Sequence, residues 1–230
     1  MSLPNDRLWQ PTTARWLGVV FGAALAYAIV RYHIASGVPW SHFPLFIMNK
    51  AISLAATLLV ACSYLVGRIL RWHNDDPRMK LVVVKFCGLA GFSLAAIHAI
   101  ASLGLITPAY FPKYFSEDGR LNVEGELGLV VGVFALWALV MPTITTLPMM
   151  PKAIGGIRWK RSQRMGYVCL GLVVLHLVVL GLRGWLSPDT WPWLLPPISL
   201  VAAVAAAVPV LLWAARKPST DSSRQADNTS

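Results

Sequence analysis

The amino-acid sequence predicts an all-α membrane protein, a bundle of six transmembrane helices with both termini in the cytoplasm. Three observations predict it. Of 230 residues, 56% are hydrophobic and only 13% charged, with a mean hydropathy of +0.59, whereas soluble domains carry about 25% charged residues. The apolar residues fall in runs of about eighteen or more, long enough to cross roughly 30 Å of hydrocarbon as helices. Alternating segments of the outer-membrane barrel type do not occur. Finally, Lys and Arg collect in every second segment between runs, fourteen against four, which the positive-inside rule reads as six crossings with cytoplasmic ends. The net charge of +10 therefore belongs to topology and not to a nucleic-acid surface.

Residues 1–14 form a polar lead with Pro4 and Pro11, residues 15–215 the membrane domain, and residues 216–230 a polar tail expected to be disordered. Helix one is expected from Arg15 to Tyr32; its Ala26-Tyr27-Ala28 is a weak signal-peptidase pattern, set aside because the run is long and the charge count favours an even number of spans. A loop with His33, Gly37, Pro39, Trp40 and His42 leads to helix two, from Phe43 to Leu70, with Lys50 near one end, where its ammonium can snorkel to the interface. After a basic loop containing Asp75, Asp76 and Pro77, helix three runs from Leu81 to Thr107. The aromatic, net acidic loop from Pro108 to Glu126 precedes helix four, Leu127 to Leu147, which Pro142 and Pro148 are expected to end. Helix five covers Gln163 to Trp185. A Trp- and Pro-rich hinge (Trp185, Pro188, Trp191, Pro192, Trp193) opens helix six, Leu194 to Ala215. Of ten tryptophans only Trp137 falls mid-span; the rest sit near helix ends or in the polar lead, as an interfacial belt requires. Cys62, Cys87 and Cys169 all lie in apolar runs without C-x-x-C spacing, so they read as packing residues and not as zinc ligands or a disulfide framework.

Two histidines carry the functional signal. His98 and His176 sit inside apolar helices, where an ionisable side chain is costly unless its chemistry is used. His98 is about nine residues from the outer end of helix three, His176 about ten from the outer end of helix five. At 1.5 Å per residue both lie roughly 14 Å below the outer interface. Matching depth on two helices is what a planar metallocycle needs from two axial ligands, and imidazole is a usual haem ligand. Gly91, Ala95 and Ser102 share the face of His98 and are expected to leave room for a flat cofactor. Arg183 lies seven residues outward of His176 on the same face, where it either pairs with a haem propionate or is an interfacial arginine. His33, His42 and His73, in loops, receive no role.

The segment Trp159-Lys160-Arg161, with Arg164, Tyr167 and then His176 at the end of an apolar run, resembles the fifth helix of the ferric-reductase-like transmembrane family. That family includes the MsrQ/YedZ-type membrane haem subunits, the STEAP reductases and the NADPH oxidases, and its motif is close to W-K-R-L-H-R-L-x-Y followed by a distant histidine. His98 matches the family's histidine on helix three. Where relatives carry a second haem, the further ligands fall at positions occupied here by Gln163 and Val84. The resemblance therefore implies one outer-leaflet haem b with His98 and His176 as the iron's axial ligands, in the plan of the STEAP proteins.

It further implies a cytochrome of the cytoplasmic (inner) membrane that passes electrons outward, the electron-transfer subunit of an oxidoreductase system. A periplasmic oxidoreductase or ferric iron would accept them, through the loop holding Tyr110, Lys113, Glu117, Asp118 and Glu126. No dinucleotide-binding Gly motif is present, so the donor is a quinol, a flavin in the vacated inner pocket, or a cytoplasmic flavin reductase. A basic patch of Lys152, Arg158, Lys160, Arg161 and Arg164 would dock that flavin or reductase, although positive-inside topology explains the same residues. The competing expectation is a haem-free scaffold or small transporter that has kept the fold. A quinol-linked cytochrome of the b561 type is disfavoured, since that group uses four intramembrane histidines.

Overall fold

The computed structural model describes residues 11–69, 77–147 and 150–215, and among these six helices are long and apolar enough to cross a membrane. In chain order the helices are α1 (Pro11–Ala28), α2 (Met48–Ile69), α3 (Pro77–Leu105), α4 (Val123–Thr145), the short α5 (Met150–Ile154), α6 (Gly156–Trp185) and α7 (Ile198–Ala214). Among the described residues the only β-type pairing is an isolated bridge, Phe115 to Leu121. A six-span, all-helical membrane protein is therefore the observed fold. Helices suit a lipid environment because they satisfy backbone groups within the span. The expectations for residues 1–10 and 216–230, and for His73, lie outside the described residues.

Several helix ends depart from expectation. Residues 11–14, read as part of an irregular lead, already belong to α1. The helix then widens into a π-helical turn, Ile29–Ile34, with Ala35 N–H donating to Val30 O at 2.8 Å. A second π turn, Phe43–Ile47, leads into α2. Pro142 does not stop α4, which continues to Thr145. Around it the hydroxyls of Thr143 and Thr145 bond back to Leu139 O at 2.7 Å and Met141 O at 3.0 Å, within the same helix. α4 starts on a well-built cap: Asn122 Oδ1 accepts from Gly125 N–H at 2.9 Å, with Glu124 and Glu126 in the first turn. α6 begins at Gly156, so the basic ramp from Trp159 is helical, and Gly155 (φ +76°) makes the break from α5. Between α6 and α7, Trp193 and Leu194 both adopt left-handed backbone (φ +52° and +58°), and α7 begins only at Ile198.

The bundle has two three-helix halves. α2 packs along α3 and carries α1 on its other side; α6 packs along α4 and carries α7. The halves meet where α2 touches α7 and α3 touches α4. α2 is the central helix, its span half buried where the others reach at most 28%. Close approach relies on alanine: Ala24, Ala28, Ala51, Ala55 and Ala202 pack α1, α2 and α7 together with Ile47, Leu54 and Ile198. A second core joins Val60, Ala61, Ala138, Leu139, Cys169, Leu170 and Ala206, and a third joins Leu59, Phe86 and Cys87, with Cys62 packed against it. The cysteines are free packing residues in these cores. Ile100, Trp137 and Leu211 point outward, as lipid-facing side chains do.

Candidate functional site

His98 is held from α2. Asn49, buried in the first turn of that helix, places Oδ1 2.8 Å from His98 Nδ1, while its Nδ2 donates to Ser102 Oγ at 3.0 Å. With the amide oxygen toward the ring, His98 donates from Nδ1–H, and Ser102 Oγ lies 3.4 Å from the same nitrogen. His176 is held from α4 in the same sense. Its Nδ1 lies 2.7 Å from the Gly128 carbonyl, which can only accept. The ring rests on the α4 backbone at Gly132, where a Cβ would stand 3.0 Å from both His176 Cε1 and Nδ1. Each histidine thus has its proton fixed on Nδ1 and its lone pair on Nε2, the arrangement that a metal-ligating imidazole uses.

One turn beyond His176, the loop after α3 clamps α6. Tyr114 Oη donates to Leu180 O at 2.6 Å, and Lys113 Nζ donates to the same oxygen at 3.3 Å. Burial, with Glu124 nearby, pushes the Tyr114 phenol above its ordinary value, so it remains a donor. The helix ends put His98 and His176 about 10 Å and 14 Å below Leu105 and Trp185. They lie within electrostatic range of one another and of Lys50.

α3 and α6 themselves scarcely touch, so the two half-buried rings stand on opposite sides of the seam between the halves. The donor set fits a bis-imidazole haem: two neutral histidines, each oriented by a fixed acceptor, on helices not packed against each other.

Some expected positions do other work. Gly91, Ala95 and Ser102 face the bundle and not an open cleft. A Cβ on Gly91 would stand 2.7 Å from Val60 Cγ2 and 3.3 Å from Ala56 O, so this glycine brings α3 close to α2. Ala95 packs against the second core, and Ser102 bonds Asn49. Arg183 lies on the exposed rim, paired with Glu124 at the start of α4. An exposed pair of this kind contributes at most about 1 kcal/mol. Sequence reasoning missed Asn49, although a polar side chain in an apolar run was a usable signal. The Gly128 carbonyl offered none.

A cavity of about 60 Å³ is lined by Val84, Gln163, Tyr64, Ser63, Gly88, Pro142, Thr143 and Thr146, among others. That is space for a few waters, too little for a flavin ring or porphyrin. Gln163 Nε2 donates to Pro142 O at 3.1 Å and Thr145 Oγ1 at 3.0 Å, and Tyr64 Oη donates to Gln163 O at 3.0 Å. Tyr64 lies against Gly166. At this end Arg158, Lys160, Arg161 and Arg164 are exposed; the side chain of Lys152 lies outside the described residues. In the loop after α3, Lys113, Glu117, Asp118 and Glu126 are exposed and Tyr110 is half-buried, stacked on Phe46. His33 bonds Val38 O at 2.7 Å and His42 packs on Tyr110, so both have structural partners.

Fold and site together define a multi-pass helical membrane protein with paired intramembrane histidines. No family model matches the chain.

If the Nδ1 acceptors orient the ligands, Asn49→Leu should lower haem affinity about 10- to 100-fold while the bundle still folds. Haem titration of the purified variant, followed by absorbance, checks this; unchanged affinity would remove Asn49 from the site.

Proposed function

We propose that the protein is a membrane cytochrome b, resembling the ferric-reductase-like family, with one haem between His98 and His176. The observation that carries this reading is the paired Nδ1 anchoring, by Asn49 Oδ1 and Gly128 O, of two histidines on helices that scarcely touch. A packing histidine gains most by satisfying both nitrogens, whereas these share one polarity and the same free atom. Haem bound there would supply one-electron transfer, with His98 and His176 as the residues that would hold its iron. The chain orients the ligands, keeps them neutral and surrounds them with an apolar, low-dielectric bundle.

In this reading the chain is the electron-transfer subunit of an oxidoreductase system in the cytoplasmic membrane, with both termini cytoplasmic. Electrons enter at the end bearing Arg158, Lys160, Arg161 and Arg164, from a quinol or from a flavin carried by a separate reductase. They leave at the end bearing the loop after α3, toward a periplasmic oxidoreductase.

The test is the reduced spectrum and haem stoichiometry of full-length protein purified from haem-replete cells. A dithionite-reduced b-type α-band with one haem per chain is expected. Colourless protein would favour a haem-free scaffold or transporter, and two haems per chain would overturn the assignment of Gln163.

A further inference from the structure

Lys50 is a cation inside a membrane span with no anion to answer it. It sits next to Asn49 on α2, half-buried, with Nζ 5.4 Å from the Phe46 ring centroid and 5.0 Å from that of Phe111. Among the described residues the two ion pairs are Arg120–Asp118 and Arg183–Glu124, and neither involves Lys50. Its charged and titratable neighbours are Lys113, His98 and His176. Two aromatic faces recover only part of the hydration that an ammonium gives up, and a second lysine nearby makes the site more positive still. Its stem carries the ammonium outward, as a snorkelling side chain does, between Phe46, from the π turn before α2, and Phe111, from the loop after α3. A cation in a span marks a candidate site for an anionic group.

We propose that Lys50 is the seat for a carboxylate of the planar group between His98 and His176, with Lys113 reinforcing the positive field from the adjacent loop. This rests on the haem reading, and it moves the main carboxylate partner from Arg183 to Lys50. Arg183 is engaged by Glu124 on the exposed rim, where water competes with any partner. Lys50 lies between two aromatic rings, one residue along α2 from the Asn49 that orients His98, where a charge-assisted bond to a carboxylate would hold the bound group in one orientation.

The experiment compares iron protoporphyrin IX with its dimethyl ester, which keeps the ring and the iron but removes both negative charges. Each is titrated into full-length protein expressed under haem limitation, with the low-spin Soret band as readout. Wild type is expected to bind the free acid about tenfold or more tightly than the ester. Lys50→Met should bind the two alike with its bis-imidazole spectrum intact, Lys50→Arg should keep the preference, and Arg183→Gln should keep most of it. Equal binding of acid and ester by wild type overturns the proposal without any variant. A preference that survives in Lys50→Met, or that disappears in Arg183→Gln alone, also overturns it and leaves the haem reading standing. Failure of wild type to bind either porphyrin takes down both.

Discussion

Replacing either His98 or His176 by alanine is expected to abolish the low-spin b-type spectrum of the reduced protein, while Arg183→Gln leaves its shape unchanged. The size of the effect follows from the geometry. Each imidazole is fixed through Nδ1, to Asn49 Oδ1 at 2.8 Å and to Gly128 O at 2.7 Å, and among the described residues the other histidines have partners of their own. His33 is bonded to Val38 O and His42 packs on Tyr110, both in loop-proximal segments. Losing one ligand leaves five-coordinate, high-spin iron at best. The measurement is the reduced-minus-oxidised spectrum of each variant, with circular dichroism confirming that the helices remain. A low-spin α-band persisting in His98→Ala would mean that another residue faces His176, and the pairing across the seam would be wrong.

The second large effect is structural. Gly166→Ala is expected to destabilise the bundle by roughly 3 kcal/mol. Tyr64 lies directly on the α6 backbone at this glycine, and an added methyl would overlap its hydroxyl and ring carbons. The phenol cannot retreat cheaply. Its hydroxyl is bonded to Gln163 O at 3.0 Å and its ring packs edge-on against Tyr167, whose ring in turn stacks on Trp213. Thermal unfolding in detergent should show a clear drop in Tm, and Tyr64→Leu in the same background should restore part of it by vacating the space. An unchanged Tm for Gly166→Ala would show that Tyr64 can move aside, and that a group larger than a few waters could enter the cavity beside Gln163.

The parts of this molecule legible in its sequence are those governed by long apolar runs. Six spans followed from run length, because lipid leaves the backbone no alternative to a helix. His98 and His176 stood out because an ionisable group is conspicuous against that background. What escaped depends on which neighbour a residue meets. Gly91 and Ser102 looked like space for a cofactor, but helical spacing fixes only a face, and that face meets α2. Pro142 looked like a helix end, but α4 runs through it to Thr145, packed on α6 through the bond from Gln163 Nε2 to Pro142 O. Lys50 was legible as a snorkelling lysine but its partners were not, since Phe111, the ring that holds it from the far side, arrives from a loop more than fifty residues later. The Gly128 carbonyl that orients His176 is main chain and leaves no mark on residue identity.

The division into two three-helix halves has a thermodynamic consequence. A group gripped by His98 on one half and His176 on the other acts as a tie-rod across the seam. Its binding free energy is then also adhesion between the halves, adding RT ln(1 + [L]/Kd) to the work of prying them apart. Assembly of the bundle and acquisition of its prosthetic group become one coupled equilibrium, so the supply of that group would govern how much of this protein survives in the membrane.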